Sequence, residues 1–178
     1  MNRKTIDELE RVSGQAVEIL QSTTIIEEAM PNLLSLLAVT TGSEWATYWQ
    51  VDPIAYLLRP ITTWSAISTP NPKLEQDTRS RTLSLSEGNA GHVWRSRKPI
   101  WTTDLVKDMC LPRSLDANES GLRGGIWFAL KSERVVYGVI ELLGKDIPNS
   151  TDDSLLAIER LGIKLGLLIE KNTPSKRA

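Results

Sequence analysis

The sequence predicts an α+β protein: a three-layer sandwich built on a mostly antiparallel sheet of five to six strands. The terminal helices would cover one face, and loops with short helices the other. Three observations predict this. The extended segments come as hairpin pairs and not as βαβ units, which makes the sheet antiparallel. Apolar stripes at helical spacing stand at both ends of the chain. A length of 178 residues argues for one domain, large enough to bury a core without a covalent staple.

The elements follow in order. From Lys4 to Gln21, Leu9, Val12, Ala16 and Ile19 recur at spacings of 3, 4 and 3, one helical stripe. The spacing also suits a short coiled-coil seam, so residues 1–22 read as an amphipathic dimerisation helix. A second helix starts at Thr24, where Thr24-Ile25-Ile26-Glu27 has capping-box spacing. Pro31 should kink or interrupt it, and Gly42 is its C-terminal stop. Glu44 to Val51 is a strand, with Trp45, Thr47 and Trp49 on one face and Ala46 and Tyr48 on the other. After the Asp52-Pro53 turn, Tyr56 to Ile67 forms its hairpin partner, and Pro60 marks an edge or a bulge.

Thr69 to Arg81 has no clear period and reads as a loop with room for a short helix. Thr82 to Leu85 is a brief extended piece, Asn89 to Lys98 a short helix closed by Pro99, and Ile100 to Thr102 extended. Residues 104–121 form a variable stretch with a helix after Pro112. Gly125 to Lys131 and Val135 to Leu143 are strands joined by a polar turn. The last helix runs from Ser150 to about Lys171, with Asp152 and Asp153 favouring its positive end. Ile158, Leu161, Leu165 and Leu168 repeat the 3, 4, 3 spacing and form the second half of the proposed dimer seam. Gly162 and Gly166 allow close approach of a neighbour. Residues 172–178 read as a flexible tail.

Composition excludes several classes of function. One Cys (Cys110) and one His (His92) leave no disulfide within the chain and no multi-Cys/His zinc site. A net charge of −1 gives no field that would attract nucleic acid, and the basic run Arg79, Arg81, Arg95, Arg97, Lys98 lacks interleaved stacking aromatics. No apolar stretch approaches a membrane span and no secretory signal opens the chain, so a cytoplasmic setting without membrane insertion is expected. The aromatic inventory is lopsided: six Trp against three Tyr and one Phe.

Specific residues resemble a known family. Leu85-Ser86-Glu87-Gly88-Asn89-Ala90-Gly91-His92-Val93-Trp94-Arg95-Ser96-Arg97-Lys98-Pro99-Ile100 is similar to the central segment of GAF domains. So are Thr103-Asp104-Leu105, Leu111-Pro112-Arg113-Ser114, Gly121 to Leu130, Val135 to Leu143, and Asp152 to Leu156. The resemblance spans residues 24–171, with the domain itself drawn at 23–171. It points to the bacterial signalling GAF domains of sensor histidine kinases and phytochrome-like proteins. It implies a non-enzymatic sensory module that binds a small ligand and signals to an output protein through a helical homodimer.

The resemblance also frames the site. In relatives, the position of Thr47 points away from the terminal helices, and Trp45 and Trp49 share that face. Trp64 is expected beside them, with Trp127 from the central strand and Tyr137 and Glu141 from the last strand. A buried Glu141 needs a partner, which Arg113 or Arg123 could supply. Relatives often carry Gly where Trp127 stands, so this pocket is either lined or filled by indole. The filled version would be an adaptor without a ligand. The cyclic-nucleotide signature of the family does not appear. No cofactor is predicted. Haem through His92 and bilin through Cys110 are the minor alternatives, the latter lacking the principal Cys-His of bilin-binding relatives. Sulfoxide reduction, known in one branch of the fold, needs further cysteines.

Overall fold

The computed structural model describes residues 3–66, 72–107 and 119–172. Its elements are α1 (Arg3–Gln21), α2 (Ile26–Thr41), β1 (Trp45–Asp52), β2 (Leu57–Ser65), α3 (Pro72–Ser80), α4 (Gly88–Ser96), β3 (Ile100–Thr102), β4 (Gly124–Lys131), β5 (Val136–Gly144) and α5 (Asp152–Asn172). The strands form one five-stranded antiparallel sheet in the order β2-β1-β5-β4-β3. The fold is the α+β sandwich expected. The segment expected as a further strand at Thr82–Leu85 contributes only an isolated bridge, Leu58 to Leu83. The stretch read as a loop at 69–81 holds α3, and the helix expected after Pro112 lies outside the described residues.

Local chemistry shifts two helix starts. The second helix does not begin on the Thr24 capping box. Thr23 Oγ1 instead accepts from the Ile25 amide at 3.1 Å and donates to Glu28 at 2.8 Å, so the helix opens at Ile26. Pro31 does not interrupt α2, which runs unbroken to Gly42 in the left-handed conformation. At α5, Thr151 and Ser154 exchange side-chain to amide hydrogen bonds at 2.8 and 3.2 Å, a reciprocal cap.

The sheet separates two cores. On one face α1, α2 and α5 bury Leu9, Ala16, Leu33, Leu34, Leu165 and their neighbours against Tyr48, Phe128 and Ile140. On the other, α3, α4 and the adjoining segments cover Trp45, Trp49, Trp127 and Val139 with Leu74, Val93, Trp94, Leu105 and Leu122. β4 is buried over its whole length, as a strand covered on both faces must be.

This layout corrects the reading of the dimer seam. Leu9, Val12, Ala16, Ile158, Leu161 and Leu165 are buried within their own chain. Ile19 and Leu168 are half-buried against the same core. The matching 3, 4, 3 stripes meet each other and α2, because α1 packs on α2 and α5. Periodicity marks an apolar face and is silent on which chain covers it. The outer side of α5 carries a different row, Leu156, Ile163 and Leu167, which are 45, 38 and 41% exposed.

α5 lies directly on β4. A Cβ at Gly162 would meet the Ala129 carbonyl oxygen at 2.2 Å, and one at Gly166 would meet the Lys131 backbone nitrogen at 2.2 Å. Gly14 of α1 has open space around it. We therefore expect Gly166→Ala to destabilise the fold by about 3 kcal/mol in urea unfolding, as overpacking does when backbone must move. Gly14→Ala should stabilise by roughly 0.5–1 kcal/mol, as alanine does for glycine in a helix interior.

Candidate functional site

The face of the sheet away from the terminal helices carries the indoles. Its register builds a lateral row across three strands: Thr47 of β1 stands opposite Glu141 of β5, and Glu141 stands opposite Trp127 of β4. Side chains directly opposite in an antiparallel pair lie within contact of each other. Trp45 and Trp49 flank Thr47 on the same side of β1. Trp45, Thr47, Trp49, Trp127 and Glu141 are each 2% exposed or less.

A polar chain runs through this row. Trp45 Nε1 donates to Thr47 Oγ1 at 2.9 Å, and Thr47 Oγ1 donates to Glu141 Oε1 at 3.2 Å. Trp127 Nε1 donates to the second oxygen, Oε2, at 2.9 Å. Two hydrogen bonds from separate strands thus hold the carboxylate, and an indole buried whole finds the partner its N–H needs. The ring of Trp127 lies over Gly125, where a Cβ would come within 2.3 Å of the indole edge. The volume above the sheet centre is occupied by indole.

The other expected site residues are placed elsewhere. Trp64 stands opposite Ala46, and cross-strand partners share a face, so its ring packs on the helical core. Tyr137 also belongs to that core. Leu130 pairs with Gly138 and Lys131 with Val136, which leaves Tyr137 as the extra residue of a bulge. The bulge turns it toward the helices, and Val136 takes the opposite face. Arg123 is exposed, and its backbone pairs with Leu105 and Gly144 at the far end of β4. Among the described residues, Trp127 and Thr47 donate to Glu141. Arg113 and Cys110 lie outside the described residues.

His92 is exposed on α4, its Nδ1 bonded to the Gly88 carbonyl of the preceding turn at 2.8 Å. A haem ligand needs an apolar slot beside the imidazole. An imidazole on the outer side of its own helix does not fit that role. Among the described residues, no group of three or more His, Cys, Asp or Glu could hold a metal ion. No described helix is long and apolar enough to cross a membrane.

Sequence reasoning missed a buried cation. Lys131, at the end of its strand next to the polar turn, is the last residue of β4 and is buried. Its Nζ donates to Glu159 of α5 at 2.6 Å and to the Arg97 carbonyl, while Arg97 donates to the Ser132 carbonyl. Ser132 donates to Glu170 at 2.9 Å. The β4–β5 turn is thereby tied to α4 and α5. Composition carried no signal for this, because a lysine before a turn is usually solvated.

A sheet walled by terminal helices on one side and by short helices over a closed polar-aromatic row on the other defines a class by its layout: small three-layer α+β domains. The profile of the GAF domain family matches residues 23–170, and the chain belongs to that family. GAF domains are sensory and regulatory modules. Solved structures agree in fold. The GAF domain of an Acinetobacter phosphoenolpyruvate-protein phosphotransferase is 15% identical, with 96% of each chain covered and a TM-score of 0.70. The free methionine-R-sulfoxide reductase of Neisseria meningitidis, in complex with its substrate, is 17% identical over 97% of this chain and 93% of that one, with a TM-score of 0.71. The GAF domain of A. aeolicus nlh2 in an inactive state is 16% identical over 93% and 98%, with a TM-score of 0.69. No curated protein matches the sequence.

The polar row makes a prediction. Glu141→Gln keeps the shape but replaces one acceptor oxygen by an amide donor facing Trp127 or Thr47. It should cost about 1–3 kcal/mol of stability, the penalty for leaving a buried donor unmet. Denaturant unfolding followed by tryptophan fluorescence measures this, and a variant as stable as the wild type would show that the row carries no such constraint.

Proposed function

We propose that this chain is a non-enzymatic regulatory module whose central sheet face is filled by its own side chains. It acts as a cytoplasmic homodimerising adaptor toward a signalling output protein. The observation that carries this is Trp127. Its indole covers Gly125, bonds to Glu141 and is buried with Trp45 and Trp49, where a ligand of the family would need space. The absence of catalysis is supported by the cysteine count. Thiol-based reduction that closes on a disulfide within the chain needs a second Cys, and Cys110 is the only one.

Dimerisation is assigned to the outer row of α5, Leu156, Ile163 and Leu167, since the inner stripes are already covered. Small shifts at such a helical interface are a standard means of passing on a signal. A second reading is a small ligand under the indoles, favoured by the buried polar row that Thr47, Glu141 and Trp127 form on that face. The neighbouring reductase fold is also known with its substrate bound.

One experiment separates the two readings. Free indole should leave the wild-type protein's melting temperature unchanged. Trp127→Ala should lower stability by about 3–5 kcal/mol, as large-to-small core changes do, and indole should restore part of it. Saturable binding of indole or of a metabolite to the wild type, with a shift of the buried-Trp emission, would favour the ligand reading. For the dimer, sedimentation over a concentration series should show wild-type dimer and Leu167→Glu monomer, both with native circular dichroism. Leu165→Glu is not a suitable probe, because Leu165 is core.

A further inference from the structure

The exposed face of α5 is split by charge. Leu156, Ile163 and Leu167 form an apolar row along it. At about 100° per residue, Arg160, Lys164 and Lys171 fall roughly 40–80° to one side of this row. Asp152, Glu159 and Glu170 fall roughly 40–60° to the other side. The two sides have different neighbours. The basic side adjoins α1, where Lys164 Nζ donates to Ser13 Oγ at 3.1 Å. The acidic side adjoins the β4–β5 turn. A groove of about 420 Å³ lies there between Ile163, Leu167 and Glu170 of the helix and Ser132, Glu133 and Arg134 of the turn. Glu159 is already held by Lys131, which leaves Asp152, Glu170 and Glu133 as the exposed carboxylates of this side. Glu10 and Asp153 on the basic side, and Arg134 on the acidic side, reduce the contrast without reversing it.

An exposed apolar row with a polar rim marks an interaction surface, and the charges on its rim select what covers it. Two copies related by a twofold axis present the same face to each other. With that axis parallel to the helices, the basic side of each copy meets the acidic side of the other. With the helices antiparallel the axis lies across them, and basic then meets basic while acidic meets acidic. Like charges face to face are destabilising, so the parallel pair alone is complementary on both of its edges.

We propose that the occupant of this face is a second copy of the chain, its α5 parallel and in register, with the basic side of each helix against the acidic groove of the other, a pairing that rests on the homodimeric reading above. Equal residue numbers then lie level, which brings Lys171 of one copy beside Glu170 of the other. Lys164 comes level with the groove, where its apolar stem covers the Ile163–Leu167 surface and its ammonium faces Glu133.

Disulfide crosslinking of the full chain in a Cys110→Ser background reads the direction. Leu156 and Leu167 are roughly 16 Å apart along the helix, too far for one to reach the other when the pair is parallel and in register. Leu156→Cys and Leu167→Cys should therefore each crosslink to an identical copy, and a mixture of the two should give little mixed product. Sedimentation of the wild type should show the dimer weakening at least threefold from about 50 to 500 mM NaCl, because exposed opposite charges are screened. The double variant Arg160→Glu/Lys171→Glu should dimerise about tenfold more weakly, and mixing it with Asp152→Lys/Glu170→Lys should restore a mixed dimer. A dimer that crosslinks only in the mixture of Leu156→Cys and Leu167→Cys, or one that tightens with salt, would overturn the parallel pairing and leave the homodimer standing. A dimer that crosslinks at neither position would overturn the assignment to this face. A wild type that stays monomeric would overturn the homodimer and the pairing together.

Discussion

The constraint on which the rest of the layering depends is the contact of α5 with the backbone of β4. Gly162 and Gly166 remove the side chains that would hold helix and strand apart, so Ala129 and Lys131 backbone atoms meet the helix directly. A helix seated this way has little freedom to slide, because any displacement brings a neighbouring side chain against a carbonyl. Lys131 with Glu159, and Ser132 with Glu170, then fix the end of the strand to the same helix. With α5 in place, α2 completes the layer by packing on β1 and β2, and α1 packs on α2 and α5. The inner stripes of α1 and α5 are used in that step, which is why they are not available to a second chain.

The opposite face solves a different problem. Its covering segments are short, and a short cover leaves volume above the sheet that large side chains must occupy. Indoles fill it, but each brings an N–H that cannot be buried without an acceptor. Glu141, at the centre of the sheet order and opposite both Thr47 and Trp127, takes one indole directly and a second through the threonine hydroxyl. A buried carboxylate is weak evidence for stability, since its desolvation offsets much of what its bonds return. Its stronger effect here is on arrangement: with Glu141 as acceptor, the rotamers of Trp45 and Trp127 are set.

Much of this was legible in the sequence, and the exceptions have physical causes. The hairpins, the two layers and the face of β1 follow from turn chemistry and period-2 alternation, which are local. The glycine pair in α5 was readable for the same reason. Tyr137 was not, because a single bulge residue reverses alternation and nothing in Val135-Val136-Tyr137-Gly138 marks the bulge more than its absence. Trp64 was misplaced because the face of β2 depends on its register with β1, and that register shifts at Pro60. Glu141 was found as a buried acid; its donors Thr47 and Trp127 are neutral and lie one strand away on each side, and Arg113 lies outside the described residues.

β1 connects the two faces. Tyr48 packs in the helical core and Trp49, the next residue, lies in the indole layer, with the register shift against β2 falling between them. A strand transmits a change only if it can take up two arrangements, and a bulge at an outer pairing is where a strand has such freedom. The last turns of α5 are the second connection. Ile169 packs in the helical core, while Leu167 and Ile163 form the outer row on the same helix. The outer row is carried on that same rigid helix, seated on β4 by two glycines. A shift of the helical layer is thus tied to the geometry of the exposed row through one helix and does not require the indole face to open.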